Sequence, residues 1–161
     1  MSGAIGWTTL TEAEDYFAKE RLESTYWDAL VASSGTKDLK TAVLTQAYNR
    51  LRRSKDFTIP TTPTADQIAA LKEAQHETAY YLATHGEDED LRKGIQAQGV
   101  VQAGIEKESY AEASLYKLPL PPIVYEIMET ADLLAPPEAG FYAVEIARDE
   151  NKDIDEDVTD D

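Results

Sequence analysis

Two histidines, one acidic tetrad and one cluster of cations are the residues of this chain whose chemistry asks for a role. His76 and His85 stand nine positions apart, so on a helix they cannot share a face as a metal-binding pair at i, i+4 does. The pentad HETAY that starts at His76 misses the metalloprotease pattern, because its fifth residue is Tyr80 where that motif needs a second histidine. A catalytic or metal role and a surface or helix-end position are the two readings of these histidines, and the spacing favours the second. The run EDED at 87–90 offers carboxylates for a divalent cation, yet it lacks the alternating ligand positions of a calcium loop, and a solvated charge run at a helix end accounts for it. Arg50, Arg52, Arg53 and Lys55 form the one basic cluster. Cations in the last turn of a helix interact favourably with its dipole and its last carbonyls; the same cluster suits a contact with DNA passing close by. No glycine-rich phosphate loop or Ser/His/Asp arrangement is visible. Cysteine is absent, which removes disulfides, thiolate catalysis and cysteine-ligated zinc together. The residues point away from an enzyme and call for no cofactor and no metal.

The elements that must position these groups are mostly helices. In TTLTEAEDYFAKERL, Thr9 or Thr11 can cap a helix with Glu12 or Glu14 three residues on, and Leu10, Ala13, Tyr16 and Phe17 share a face, so a helix is expected to about Leu22. Ser24 offers a second cap for a short helix that carries Trp27, Leu30 and Val31, with Trp27 in the core and Gly35 as the stop. From Thr36 to Ser54, the spacing of Leu39, Val43, Leu44, Ala47, Tyr48 and Leu51 predicts an amphipathic helix. FTIPTTPT breaks it, since Pro60 and Pro63 cannot sit in a helix interior. Thr64, with Gln67 at the capping-box position, opens the next helix, whose apolar stripe is Ile68, Leu71, Ala74, Thr78, Tyr81 and Leu82, with Gln75 beside Ala74, and which Gly86 is expected to end.

The segment LRKGIQAQGVVQAGIEKESY, residues 91–110, breaks the helical pattern. From Gly94 the odd positions Ile95, Ala97, Gly99, Val101, Ala103 and Ile105 are small or apolar, while glutamines and Gly104 take most even ones. A period of two is the mark of a strand with one buried face. After the charged break at Glu106 to Glu108, SYAEASLYKL can pair back, so a β-hairpin arm over about 94–117 is expected, although a lone two-stranded hairpin is marginal in water. Pro121 or Pro122 opens a last helix, IVYEIMETADLL, with Ile123, Tyr125, Ile127, Met128, Leu133 and Leu134 as packing surface. FYAVEIA, 141–147, is an isolated apolar stretch suited to docking on a partner as a strand or extended peptide through Phe141, Tyr142, Val144 and Ile146.

With 161 residues the chain is long enough for one domain with a core and too short for two. No apolar run approaches the roughly 18 residues that span a bilayer, so no membrane partner is expected. MSGAIGWTTL lacks a basic region followed by an apolar stretch, so no secretory signal is expected either. The formal net charge is −16, a bias against general binding to a phosphate backbone. Seven of those negative charges fall in DENKDIDEDVTDD, 149–161, which is expected to be a disordered, solvated tail. The fold class is therefore mainly α: a small bundle of about four helices over 1–134 with a projecting hairpin or extended arm. A docking segment over 135–148 and the acidic tail follow.

Taken in order, the capped helix TTLTEAEDYFAKERL, the tryptophan turn YWDAL, the helix ending RLRRSKDF, the helix ending ETAYYLATHG, then RKGIQAQGVVQAGIEKESY and LPLPPIVYEIMETADLL resemble the head–tail connector, or adaptor, proteins of tailed bacteriophages, also called head-completion proteins. The resemblance covers roughly residues 8–134 and rests on the ordered set. It departs from the pattern where related sequences carry a tryptophan-proline-arginine element and this chain reads FTIPTTPT. The resemblance implies a virion protein, made in the host cytoplasm, that forms a ring of normally twelve copies beneath the portal. DNA passes through the channel without sequence-specific binding, and a tail component such as a stopper or tail terminator docks below. It also implies that Ile95, Gln98, Val100, Val101, Ile105 and Tyr110 of the arm make subunit or portal contacts, where a neighbour can satisfy the open strand edge. Arg50, Arg52, Arg53 and Lys55 then become candidates for channel contacts with DNA. Some related sequences are likened to a primosomal single-strand-DNA-binding protein, so a replication protein of that kind is the alternative. A helical interaction module with an acidic tail is the plainest one.

Overall fold

Each long helix begins where a side chain supplies what the backbone lacks. Helix α1 (Leu10–Lys19) opens on a capping box: the Glu12 N–H donates to Thr9 Oγ1 at 3.2 Å and the Thr9 N–H to Glu12 Oε2 at 2.8 Å. Two N–H groups that the helix cannot pair are thereby satisfied. The helix stops at Lys19, short of the expected Leu22, which is exposed. Helix α2 (Thr25–Asp28) is a single turn that carries Trp27 into the core. Ser24 precedes it, but its hydroxyl donates to the Asp28 carboxylate at 2.8 Å instead of capping a backbone N–H. Helix α3 (Leu39–Arg53) takes its cap from Asp38, which accepts from the Thr41 N–H at 3.2 Å. The computed structural model describes residues 3–30, 38–97, 102–103, 108–109 and 119–136; among them the protein is mainly helical, with five helices.

Helix α4 (Ala65–Ala97) overturns the expected boundary. Thr64 and Gln67 form its capping box as anticipated, at 3.0 and 3.3 Å. Gly86 does not end it. A glycine stops a helix by turning left-handed, and among the described residues Gly6 is the glycine with positive φ. Gly86 and Gly94 keep helical backbone, each at a cost of about 1 kcal/mol relative to alanine. The spacing of Asp88 to Arg92 and Glu89 to Lys93 at i, i+4 favours continuation. Ile95 and Ala97, placed by their alternation in a strand, therefore lie in the last turns of a helix.

Beyond α4, β1 (Gln102–Ala103) pairs antiparallel with β2 (Glu108–Ser109), Gln102 opposite Ser109 and Ala103 opposite Glu108. Two rungs do not make the expected arm, and the rest of 98–118 lies outside the described residues. Helix α5 (Pro122–Thr130) starts with proline in its first turn, where a missing N–H costs nothing. It ends in a Schellman turn: Leu133 N–H donates to Met128 O at 2.8 Å and Asp132 N–H to Glu129 O at 3.0 Å. Asp132 takes the left-handed position, φ 56°. The face it buries is Val124 and Met128 with Leu133, whereas Ile123 and Leu134 of the expected surface are exposed. The segment after α3 lies along the chain that follows α5. Thr58 N–H donates to Leu133 O at 2.9 Å, Ala135 N–H to Asp56 O at 2.8 Å, and Tyr125 OH to Asp56 Oδ2 at 2.7 Å.

Helix α4 is the axis of the bundle. One cluster packs Ala13, Phe17, Trp27, Leu44 and Ala47 against Ala79, Tyr80 and Leu82. The other packs Leu51, Phe57, Val124, Met128 and Leu133 against Leu71 and Ala74. With α1, α3 and α5 on three sides, residues 74–80 are all buried, an unbroken run in which no face is left for water. No helix among the described residues is long and apolar enough to cross a membrane.

Candidate functional site

The surrounded run of α4 contains Gln75, His76, Glu77 and Thr78, and burying such groups costs free energy unless they are bonded. Gln75, fully buried, is the best satisfied. Its amide donates to Ile5 O at 2.8 Å and to Leu44 O at 3.0 Å, and its carbonyl accepts from Trp7 N–H at 3.1 Å. One side chain thus ties the N-terminal turn and α3 to the axis. The turn is tight because Gly6 sits at φ 70° with its α-carbon against the Tyr48 ring, where a Cβ would collide.

On the face toward α1, α4 is tied to that helix and to the residues just before and after it. Lys72 donates to Glu12 at 2.5 Å, Thr8 Oγ1 meets His76 Nε2 at 2.8 Å, and Tyr16 OH donates to Glu77 Oε1 at 2.7 Å. Arg21 closes the row: it donates to the other Glu77 oxygen and lies over the Tyr80 ring at 3.7 Å, a cation–π contact added to an ion pair. The electrostatics follow from this geometry. The Lys72 hydrogen bond holds the Glu12 carboxyl down at about 2, helped by Thr9. Burial pushes the Tyr16 phenol above its ordinary range, and the Glu77 carboxylate adds to this. Burial lowers His76 to about 4, against the pull of Glu12 and Glu77, so the imidazole is neutral at pH 7. Burial, then the carboxylates of Glu20 and Glu77, raise Glu73.

Between α1 and α4 this row borders a cleft of about 370 Å³, lined by Glu12, Asp15, Tyr16, Glu20, Ala69, Lys72, Glu73 and His76. Among the described residues no group of three His, Asp or Glu is arranged to hold a metal ion. The cleft is electronegative, with one cation that is already paired.

The candidate residues named from the sequence part company. The Arg50 guanidinium is largely withdrawn from solvent and is engaged within the chain: it donates to Glu89 Oε2 at 2.8 Å and to Pro119 O at 3.0 Å. Arg52, Arg53 and Lys55 are exposed at the end of α3. Glu89, read as part of a solvated run, is 7% exposed. His76, read as a surface or helix-end residue, is 4% exposed; His85 is exposed. Ile95 is half-buried on α4. Gln98, Val100, Val101, Ile105 and Tyr110, and Phe141, Tyr142, Val144 and Ile146, lie outside the described residues, as does the acidic tail. The sequence reading missed Gln75 as a connector and Glu77 and Glu89 as buried anions. The available signal was the i, i+4 series Lys72, His76, Tyr80, which marks a second interacting face beside the apolar stripe.

Set against models of known protein families, curated proteins and solved structures, the chain matches none of them.

Proposed function

We propose that this protein is a structural component of a tailed-phage virion, an adaptor that forms a ring between portal and tail, completes the head and lets DNA pass. What carries the reading is the ordered set of sequence segments, from TTLTEAEDYFAKERL through QGVVQAGIEKESY to LPLPPIVYEIMETADLL. The helices that those segments form support it by their arrangement: α1, α3 and α5 gather on α4. The excursion between α4 and α5 leaves from the axis helix and returns at Pro119, which Arg50 holds. In this reading, the segment between α4 and α5 supplies the arm, and the antiparallel pairing of Gln102 with Ser109 and Ala103 with Glu108 is compatible with it. A marginal hairpin becomes stable when a neighbouring copy or the portal covers its edge. The acidic surface suits a channel in which DNA slides instead of sticking, since phosphate affinity comes from lysine and arginine. Against the single-strand-DNA alternative, Phe17, Trp27, Phe57 and Tyr80 are buried, whereas a stacking platform needs exposed rings beside cations.

The test is cosedimentation of the full chain with portal-bearing particles, followed by negative-stain imaging. A ring at the portal vertex is expected. Removing residues 98–117, which leaves all of α4 and Pro119, should keep the helical circular dichroism and abolish ring formation. A chain that never joins such particles sinks the adaptor reading, and salt-sensitive binding to labelled single-stranded DNA in its place would establish the alternative.

A further inference from the structure

The cations of the described chain fall into two groups. Lys19, Arg21, Lys40, Arg50 and Lys72 each hold a carboxylate of the same molecule, and Arg92 and Lys93 have interactions of their own. Arg52, Arg53 and Lys55 are exposed and form no ion pair among the described residues. They crowd one corner, where α3 ends.

The cleft between α1 and α4 has the opposite need. Asp15, Glu20 and Glu73 line it; Asp15 is paired with Lys19, and the one cation of the lining, Lys72, is engaged with Glu12, which leaves Glu20 and Glu73 without an ion pair among the described residues. His76, 4% exposed, also lines it, and its Nδ1 has no hydrogen-bond partner among the described residues. The Thr8 hydroxyl has acceptors at Thr9 O, 3.2 Å, and Glu12 Oε2, 3.5 Å. His76 Nε2 meets this hydroxyl at 2.8 Å, and Nδ1 is the ring nitrogen left without a partner among the described residues. The Tyr16 hydroxyl donates its hydrogen bond to Glu77. Glu20 and Glu73 thus bring to the cleft carboxylates that no ion pair among the described residues neutralises, and what suits them is a positively charged donor.

We propose that the cleft between α1 and α4 of one copy receives the corner formed by Arg52, Arg53 and Lys55 of the next, a head-to-tail contact between copies of this chain. The net charge selects that occupant. At −16, two copies repel in most orientations, and the approach of this corner to this cleft is one in which attraction replaces repulsion. Complementary charge of this kind fixes orientation more than it adds affinity. Because corner and cleft are different surfaces, each pair leaves one of each unused, so the contact propagates and closes into a ring if the rotation allows. The inference rests on the adaptor reading for that closure alone; the contact itself involves two copies.

The absence of cysteine makes the test clean. Full-length Ser54→Cys, whose new thiol lies between Arg53 and Lys55, is mixed with full-length Ala69→Cys, whose thiol lines the cleft. The mixture is oxidised at low ionic strength and the dimers identified by mass spectrometry. The unlike dimer is expected to exceed both like dimers severalfold and to fade in about 0.5 M salt, where charges more than a few ångströms apart are screened. Equal amounts of like and unlike dimers overturn the proposal. Reversing the corner (Arg52→Glu, Arg53→Glu, Lys55→Glu) in the first chain, or the cleft (Asp15→Lys, Glu20→Lys) in the second, should each abolish the unlike dimer. Pairing the two reversed chains should bring it back, and failure to return overturns it. Capture of a labelled oligonucleotide by the corner with no unlike dimer assigns the corner to nucleic acid and also overturns it. Unlike dimers from a chain that never joins portal-bearing particles would retire the adaptor reading and leave this contact standing; the converse result would retire the contact alone.

Discussion

One helix lives under two regimes. Residues 74–80 of α4 are buried on every side, while over 86–95 Glu89 is the buried residue and Leu91 is 64% exposed. The same backbone is held in the first stretch by what surrounds it and in the second mostly by its own hydrogen bonds. The polar groups follow the same division. In the surrounded stretch Gln75, His76 and Glu77 are bonded to other elements; in the extension Arg50 reaches Glu89 across from α3 and the other acids meet water. Burial without partners is expensive, so the neighbours that Gln75, His76 and Glu77 find fix how the bundle goes together, while the Thr78 hydroxyl in the same stretch is buried without a hydrogen-bond partner among the described residues.

The contrast is sharpest at Gln75. Gln75→Ala removes the partner of three backbone groups at once, and each orphaned group costs about 1 to 3 kcal/mol, so a loss of about 4 kcal/mol in urea unfolding is expected. Asp90→Ala in the extension should stay within about 0.5 kcal/mol. If both changes cost the same, the two regimes are not distinct.

Acid should separate them next. The folded pKa of His76 is about 4, below its ordinary 6.5, so the unfolded chain binds its proton first. The stability tied to the neutral imidazole is complete above pH 6.5 and is lost as pH falls from 6.5 toward 4, about 3 kcal/mol in all. Glu12, held at about 2 against an ordinary 4.5, contributes stability above pH 4.5 that is lost on the way down to 2. Glu73, raised by burial, acts in the opposite sense and recovers stability as it protonates. Urea midpoints between pH 7 and 4.5 should fall for the chain and flatten for His76→Gln; equal slopes in both would remove His76 as the cause.

In the extension the expected changes are smaller and reverse in sign. Gly86→Ala and Gly94→Ala meet open space at the new Cβ and should each raise stability by about 1 kcal/mol. A loss at Gly86 would mean that the helix ends there after all. Leu91→Lys should change little, within about 0.5 kcal/mol.

That division also marks what a reader of the sequence can see. Caps are local, so Thr9 with Glu12 and Thr64 with Gln67 were legible, and so was Trp27 as a core residue flanked by a helix and a break. The end of α4 was not, because a glycine near a helix end stops it only when the backbone turns left-handed, and that depends on what surrounds the chain. Leu71, Ala74 and Leu82 were readable as a stripe; the second face, His76 with Glu77, needs a neighbour on that side to make burial possible. Val124 in place of Ile123 has the same origin, since the direction of a short helix's inward face is set by its partner. Of the candidate site, the basic cluster was legible as a cluster. Its division into a buried Arg50 and three outward cations required the position of Glu89, 39 residues away in the chain.

The central position of α4 has a kinetic consequence. Its partners come from far along the chain on both sides: Glu12 is 60 residues from Lys72, Thr8 is 68 from His76, and Ala131 is 64 from Gln67. Helical bundles fold fast when their contacts are local, and large separations slow the search because long loops must close before they gain anything. The contacts that fix α4 in place are thus long-range ones in a chain whose helices are themselves local. The glutamine and histidine of α4 stay in water until the segments that hold Ile5, Trp7, Thr8 and Leu44 have reached it.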